Sequence, residues 1–177
     1  LVPSLSEDFI STLIPSFEKI ANELCAELKN NNSCEFMSEF AKPFAGKAIC
    51  VLLGLSVSEW RSISQDASDL GLAMGIDCKS HESVFNKAYD RLAELSEDLI
   101  NRVKDGKDEK SFIARLYYNS KKVGGLSDLE LLDLIVIAIF GGVDTTRSQL
   151  GLGIMTFIEH PLEWKKLRED KELAPRA

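Results

Sequence analysis

From Ser127 to about Glu159 the chain keeps helical periodicity without a proline, and Leu134 to Val143 inside it is an unbroken apolar run of ten residues. A helix of that extent is about 50 Å long at about 1.5 Å per residue. It must be the axis of whatever it belongs to. Its first half is apolar nearly all round, which predicts burial on every side. The apolar run falls short of the roughly 20 residues that cross a bilayer, so a protein core is expected and a membrane span is not. Ser127 with Glu130 three residues later predicts a capping box at the start.

The same helix is weakened and wetted at one place. Gly141-Gly142-Val143-Asp144-Thr145-Thr146 sets two adjacent glycines, each costing about 1 kcal/mol relative to alanine, beside an acid and two hydroxyls. Burying such groups unpaired is expensive, so the pattern points to use. Residues four apart share a helix face, which aligns Ile137, Gly141 and Thr145, with Phe140 beside them. In one reading Gly141 and Gly142, lacking side chains, let a small ligand and a flat ring approach the backbone. Thr145 then supplies a hydroxyl that donates and accepts hydrogen bonds, and Asp144 relays protons. In the other reading the helix ends at the glycine pair, Asp144 or Thr145 caps the next helix, and Arg147 pairs with Asp144 near the surface.

The rest of the chain is helical too, and the class is all-α, with about seven helices around the long one. Asp8 to Leu28 carries an apolar stripe of Phe9, Leu13, Phe17, Ile20, Leu24 and Leu28, stopped by Asn30-Asn31-Asn32-Ser33. Phe36 to Leu55 follows, with Pro43 near its first turn and Gly54 near its end. Ser58 to Met74, Glu82 to Val103 and Ser111 to Lys121 are the next three. Val84, Ala88, Leu92, Leu95 and Leu99 form one face of the fourth helix. The seventh helix begins at Pro161, a favoured first-turn position. No repeat or low-complexity segment divides residues 1–177, which read as one helical domain.

Composition narrows the function classes. With 177 residues and 45% hydrophobic content the chain can build a sizeable core. A net charge of -7 without a basic cluster argues against nucleic-acid binding. Four scattered cysteines suit a reducing compartment, and Leu1-Val2-Pro3-Ser4 lacks the basic start of a signal peptide, so a cytoplasmic location is expected. Cysteine spacings of nine, sixteen and twenty-eight residues give no metal knuckle, and two distant histidines, His81 and His160, give no zinc site. No metal-ligating set is expected. Cys50 and Cys25 read as small core hydrophobes, Cys34 and Cys78 as loop residues. Glu94, Glu97 and Asp98 read as a solvated helix face.

Small-Gly-x-Asp-Thr-Thr within a long helix resembles the oxygen-binding motif of the cytochrome P-450 monooxygenases. Three further stretches resemble that family in the same order. They are Phe40-Ala41-Lys42-Pro43 through the Leu-Leu-Gly that ends at Gly54, the helix start Leu126 to Asp133, and Glu159-His160-Pro161 through Asp170. The resemblance covers nearly the whole chain and implies the soluble, bacterial-type members. Two family patterns do not occur: Glu-x-x-Arg, and the haem-ligand loop Phe-x-x-Gly-x-x-x-Cys-x-Gly. Cys50 has Gly46 four residues before it, but Phe44 is out of register and Leu52 stands where the loop needs glycine. Leu173-Ala174-Pro175-Arg176-Ala177 resembles the stretch just before the Glu-x-x-Arg helix.

The resemblance therefore implies the middle of a haem-thiolate monooxygenase, carrying the oxygen-activating helix and inactive alone. The intact enzyme would insert one oxygen atom of O2 into a small apolar substrate, using haem iron and a ferredoxin-type redox partner. Asp144 and Thr145 are then the catalytic acid and alcohol that drive O–O cleavage, Gly141 and Gly142 the cofactor approach, and Ile137 and Phe140 substrate neighbours. Ser58 to Leu99 would form the lid, with Leu70, Leu72, Met74 and Ile76 as further candidates beside substrate. The haem-ligand cysteine is absent from the sequence, so no bound haem is expected in the chain by itself. With its partners missing, the apolar face is expected to drive a homo-oligomer or domain-swapped dimer. The competing expectations are a naturally short, haem-free binding protein on the same scaffold and an unrelated helical bundle.

Overall fold

The computed structural model describes residues 2–29, 33–122 and 124–176. Asn30, Asn31 and Asn32 of the expected first loop lie outside the described residues, as do Leu1 and Ala177. Among the described residues there are seven α-helices and no strand. They are α1 (Glu7–Leu28), α2 (Lys42–Leu53), α3 (Trp60–Gly71), α4 (Glu82–Lys104), α5 (Phe112–Lys122), α6 (Asp128–Glu159) and α7 (Pro161–Glu169).

Local chemistry sets the boundaries. The Ser6 hydroxyl accepts the Phe9 N–H at 3.4 Å and starts α1. A π-helical turn, Met37–Ala41, runs into α2, whose first turn holds Pro43. Gly54 closes α2 at φ +72°, and the Leu55 N–H donates to the Cys50 carbonyl at 2.8 Å, a left-handed cap open to glycine. Ser127 and Glu130 complete both halves of the capping box on α6. The His160 N–H donates to the Thr156 carbonyl at 2.9 Å, and α7 starts at Pro161.

The long helix packs on α2, α3 and α4, with α1 lying on α2 and α5 on α4. Its buried stripe is Leu131, Ile135, Val136, Ile139 and Val143. This stripe meets Ile49 and Leu53 of α2, Ile63 and Leu70 of α3, and Leu92 and Leu99 of α4 in one core. Burial on every side is not what the structure shows. Leu129 is 66% exposed and Ile137 59%, because neighbouring helices cover only part of the cylinder. In α4, Ala88, Leu92 and Leu99 are buried as expected, whereas Val84 is exposed.

Two glycines let backbones approach. A Cβ on Gly142 would lie 2.8 Å from Ile49 Cδ1, and one on Gly46 would overlap Ser64 Oγ and reach 3.0 Å from Trp60 Cε3. Polar ties then fix α4 against α6. The Tyr89 hydroxyl donates to Asp133 Oδ1 at 2.7 Å, and Lys104 pairs with Asp128 at 2.5 Å. The Asp133 hydrogen bond, followed by partial burial, pushes the Tyr89 phenol above its ordinary value.

Gly46→Ala is expected to destabilise the fold by about 1–3 kcal/mol through overpacking, read as a lower urea midpoint; an unchanged midpoint would show that α2 and α3 do not approach this closely. A raised phenol pKa contributes stability that is full below about pH 10 and lost as pH rises through the raised value. Tyr89→Phe should therefore cost about 1 kcal/mol near neutrality, with the gap to the parent closing at alkaline pH. A gap that stays constant across that range would remove the bond to Asp133.

Candidate active site on the long helix

α6 runs through the glycine pair unbroken, from Asp128 to Glu159. The reading in which the helix stops there is not realised. Gly142 is held against α2 by its contact with Ile49, and the Thr145 hydroxyl donates back to the Gly141 carbonyl. Such a bond from a threonine to the carbonyl four residues earlier satisfies the hydroxyl inside the helix.

The six candidate residues divide over three faces. Ile137, Gly141 and Thr145 share an outward face: Ile137 is 59% exposed, Thr145 is exposed, and nothing lies within 4 Å of a Cβ built on Gly141. Phe140 and Asp144 turn toward α3. The Phe140 ring comes to 3.5 Å and Asp144 Oδ2 to 3.8 Å from a Cβ built on Gly71. Asp144 Oδ1 also lies 2.7 Å from Arg147 Nη2. Gly142 occupies the third face, toward α2. A Cβ built on Gly141 meets open space, whereas one on Gly142 would press on Ile49 of α2. Residues four apart share a face whereas neighbours are rotated by about 100°. Asp144 and Thr145 accordingly cannot project in one direction.

Sequence reasoning missed two parts of this region. Gly71 gives Phe140 and Asp144 their room on α3, and only the α3–α6 crossing makes it visible. The second part is a groove of about 650 Å³ between α1, the π-helical turn and the far half of α6, with Thr145 and Thr146 at one end and Phe157 and Trp164 at the other. Cys25 lines it and is exposed, which corrects its assignment to the core. It follows Leu24 directly and so sits one step off the buried stripe. Of the further candidates expected beside substrate, Leu70 is buried at 6% exposure, whereas Met74 and Ile76 are largely exposed. Glu94, Glu97 and Asp98 are exposed as expected.

The outward face suits a planar apolar group, since Gly141 removes the Cβ that would hold a ring away and Ile137 offers an apolar wall. Cys50 is fully buried in the core, where desolvation pushes its thiol up to about 12. Among the described residues no three His, Cys, Asp or Glu side chains group to hold a metal, and no helix is long and apolar enough to cross a membrane.

The sequence matches the cytochrome P-450 family over residues 61–174. It is 27% identical over 173 residues to the luteothin monooxygenase of Streptomyces thioluteus, covering 94% of this chain and 41% of that protein. It is 28% identical over 172 residues to the polyketide biosynthesis cytochrome P-450 PksS of Bacillus subtilis, covering 95% and 40%. The structure superposes on that of CalO2 with a TM-score of 0.86 at 23% identity, over 97% of this chain and 43% of that one. The chain thus spans about 40% of the length of the curated relatives that it matches.

Thiol accessibility checks the cysteine placement. Cys25, Cys34 and Cys78 are expected to react with an aromatic disulfide reagent within minutes, while Cys50 reacts only on unfolding. A fourth fast thiol in the folded chain would contradict the core assignment of Cys50.

Proposed function

This chain belongs to the cytochrome P-450 family, and on that premise we propose that its 177 residues are the oxygen-activating portion of a haem-thiolate monooxygenase. The observation that carries the reading is the open face of Ile137, Gly141 and Thr145 on a buried axis, with Asp144 one residue away. The substrate class is a small apolar molecule, one of whose C–H bonds takes up one oxygen atom of O2. The other oxygen atom leaves as water, with two electrons from a ferredoxin-type donor and two protons.

When bound, haem supplies the activation of O2, and the proximal thiolate is proposed to come from sequence beyond these residues. The chain's own side chains orient and protonate. Gly141, with nothing within 4 Å of a Cβ built on it, would leave room for the group against the backbone. Ile137 and Phe140 give the apolar walls that position substrate and exclude water. The Thr145 hydroxyl donates to the Gly141 carbonyl and keeps lone pairs with which it would hold a water at this face. Asp144 exchanges protons with solvent, being 31% exposed, and passes them toward Thr145.

In the complete enzyme, Asp144→Asn should slow product formation by about 10²-fold or more, the contribution expected of a general acid, with substrate binding unchanged. Equal rates for the variant and the parent would refute the acid role. The complete protein, reduced under carbon monoxide, should show the red-shifted Soret band of thiolate ligation. Its absence there would sink the haem-thiolate reading.

The isolated chain is expected to self-associate. Leu152, Met155, Ile158 and Leu162 leave an apolar strip exposed along α6 and α7. Light scattering that shows a monodisperse monomer would rule this out.

A further inference from the structure

The turn between α4 and α5 gathers positive charge. Gly106 takes φ +70°, and the Gly106 and Lys107 N–H groups return to the Val103 carbonyl at 3.0 Å and the Arg102 carbonyl at 2.9 Å. This left-handed closure satisfies the last carbonyls of α4 from the backbone. The Arg102 guanidinium is therefore not needed as a cap, and Lys107 is turned back beside it. Lys110 follows on the approach to α5.

These three cations rim a depression of about 340 Å³, on the side of the molecule away from the candidate site, with no residue of α6 in its lining. Its floor is Phe9 and Leu13 of α1 with Val51 and Leu52 of α2. Leu13 and Leu52 pack on the edge of the core and stay only partly buried, so the floor is apolar surface that the helices leave open. Gly54 closes one wall. A Cβ built on it would stand 3.2 Å from Ser111 Cβ, which is how near the cap of α2 comes to the start of α5.

Asp108 is the one carboxylate among the lining residues, and it is engaged elsewhere. It accepts the Lys110 N–H at 3.2 Å, the Ser111 N–H at 3.1 Å and the Ser111 hydroxyl, so both of its oxygens serve the start of α5. Lys107 pairs with Asp105 at 2.8 Å. Among the described residues, neither Arg102 nor Lys110 has a carboxylate within ion-pair distance. Unneutralised cations over an apolar floor select a ligand with one anionic group and a small apolar body. A guanidinium offers paired N–H donors to a carboxylate or a phosphate, and covering the floor removes apolar surface from water. Depressions of this size hold small molecules.

We propose that the depression between α1, the end of α2 and the α4–α5 turn is a binding site for a small amphipathic anion, a carboxylate or phosphate ester on a short apolar body. Arg102 and Lys110 hold the anionic group and Leu13, Val51 and Leu52 the body. A bound anion bridges the α1–α2 pair to the α4–α5 turn. The site is independent of the oxygen-activation reading above.

Amide NMR of the isotope-labelled 177-residue chain, titrated with 3-phenylpropanoate and with phenyl phosphate, tests it. Saturable shifts should centre on Phe9–Leu13, Val51–Leu55 and Arg102–Phe112, and the tighter probe identifies the anionic group. The neutral 3-phenylpropanol lacks the charge and inorganic phosphate lacks the body, so each should bind at least about fivefold more weakly. Arg102→Gln combined with Lys110→Gln should weaken the preferred probe by about 5- to 30-fold, the range of two exposed ion pairs. The same double variant should lose most of the salt dependence that the parent shows between about 0.05 and 0.5 M. Both residues are exposed, so the unliganded variant should keep the parent's amide spectrum outside the substituted turns. Lys110→Arg should bind as the parent does. No saturable shift in the three segments, unchanged affinity in the double variant, or an alcohol that binds as tightly as the acid would each overturn the proposal.

Discussion

Burial of one stripe of α6, running from Leu131 through Ile135, Val136 and Ile139 to Val143, against α2, α3 and α4 fixes everything else in this structure. Each of these side chains contributes roughly 1.5–3 kcal/mol when removed from water. The stripe also sets the rotation of the helix about its axis. Once Ile139 and Val143 point into the core, Ile137, Gly141 and Thr145 must point out, and Phe140 and Asp144 must face α3. The candidate site is the complement of the core on a single cylinder.

That geometry gives two neighbouring glycines different work. Gly142 lets α6 come within contact of Ile49, and the helix runs unbroken through the glycine pair. Gly141 keeps an open surface beside the Thr145 hydroxyl. A single glycine could not do both, because adjacent residues are turned by about 100°. The same rotation separates the Asp144 side chain from that of Thr145.

Much of the fold was legible because its signals are local. The stripe on α1, Pro43 and Gly54 around α2, the Ser127–Glu130 capping box and Pro161 at α7 each act within a turn or two of chain. What escaped depended on contacts distant in sequence. The π-helical turn before α2, the exposure of Cys25 beside a buried stripe, and the role of Gly71 arise where separate helices meet. The expectation that the first half of α6 is buried all round failed for the same reason. Hydrophobicity states which residues can be buried, and only the number of neighbouring helices states how many are.

By itself the sequence determined the all-α class, the length and register of the central helix, and the concentration of glycine, acid and alcohol at residues 141–146. These follow from periodicity, propensity and capping, which depend on residues close in the chain. Tertiary structure alone decided which face of α6 stays open, that Gly142 packs and Gly141 does not, and that Phe140 and Asp144 lie against α3. Those outcomes turn on how helices far apart in sequence cross one another, and no local pattern encodes a crossing.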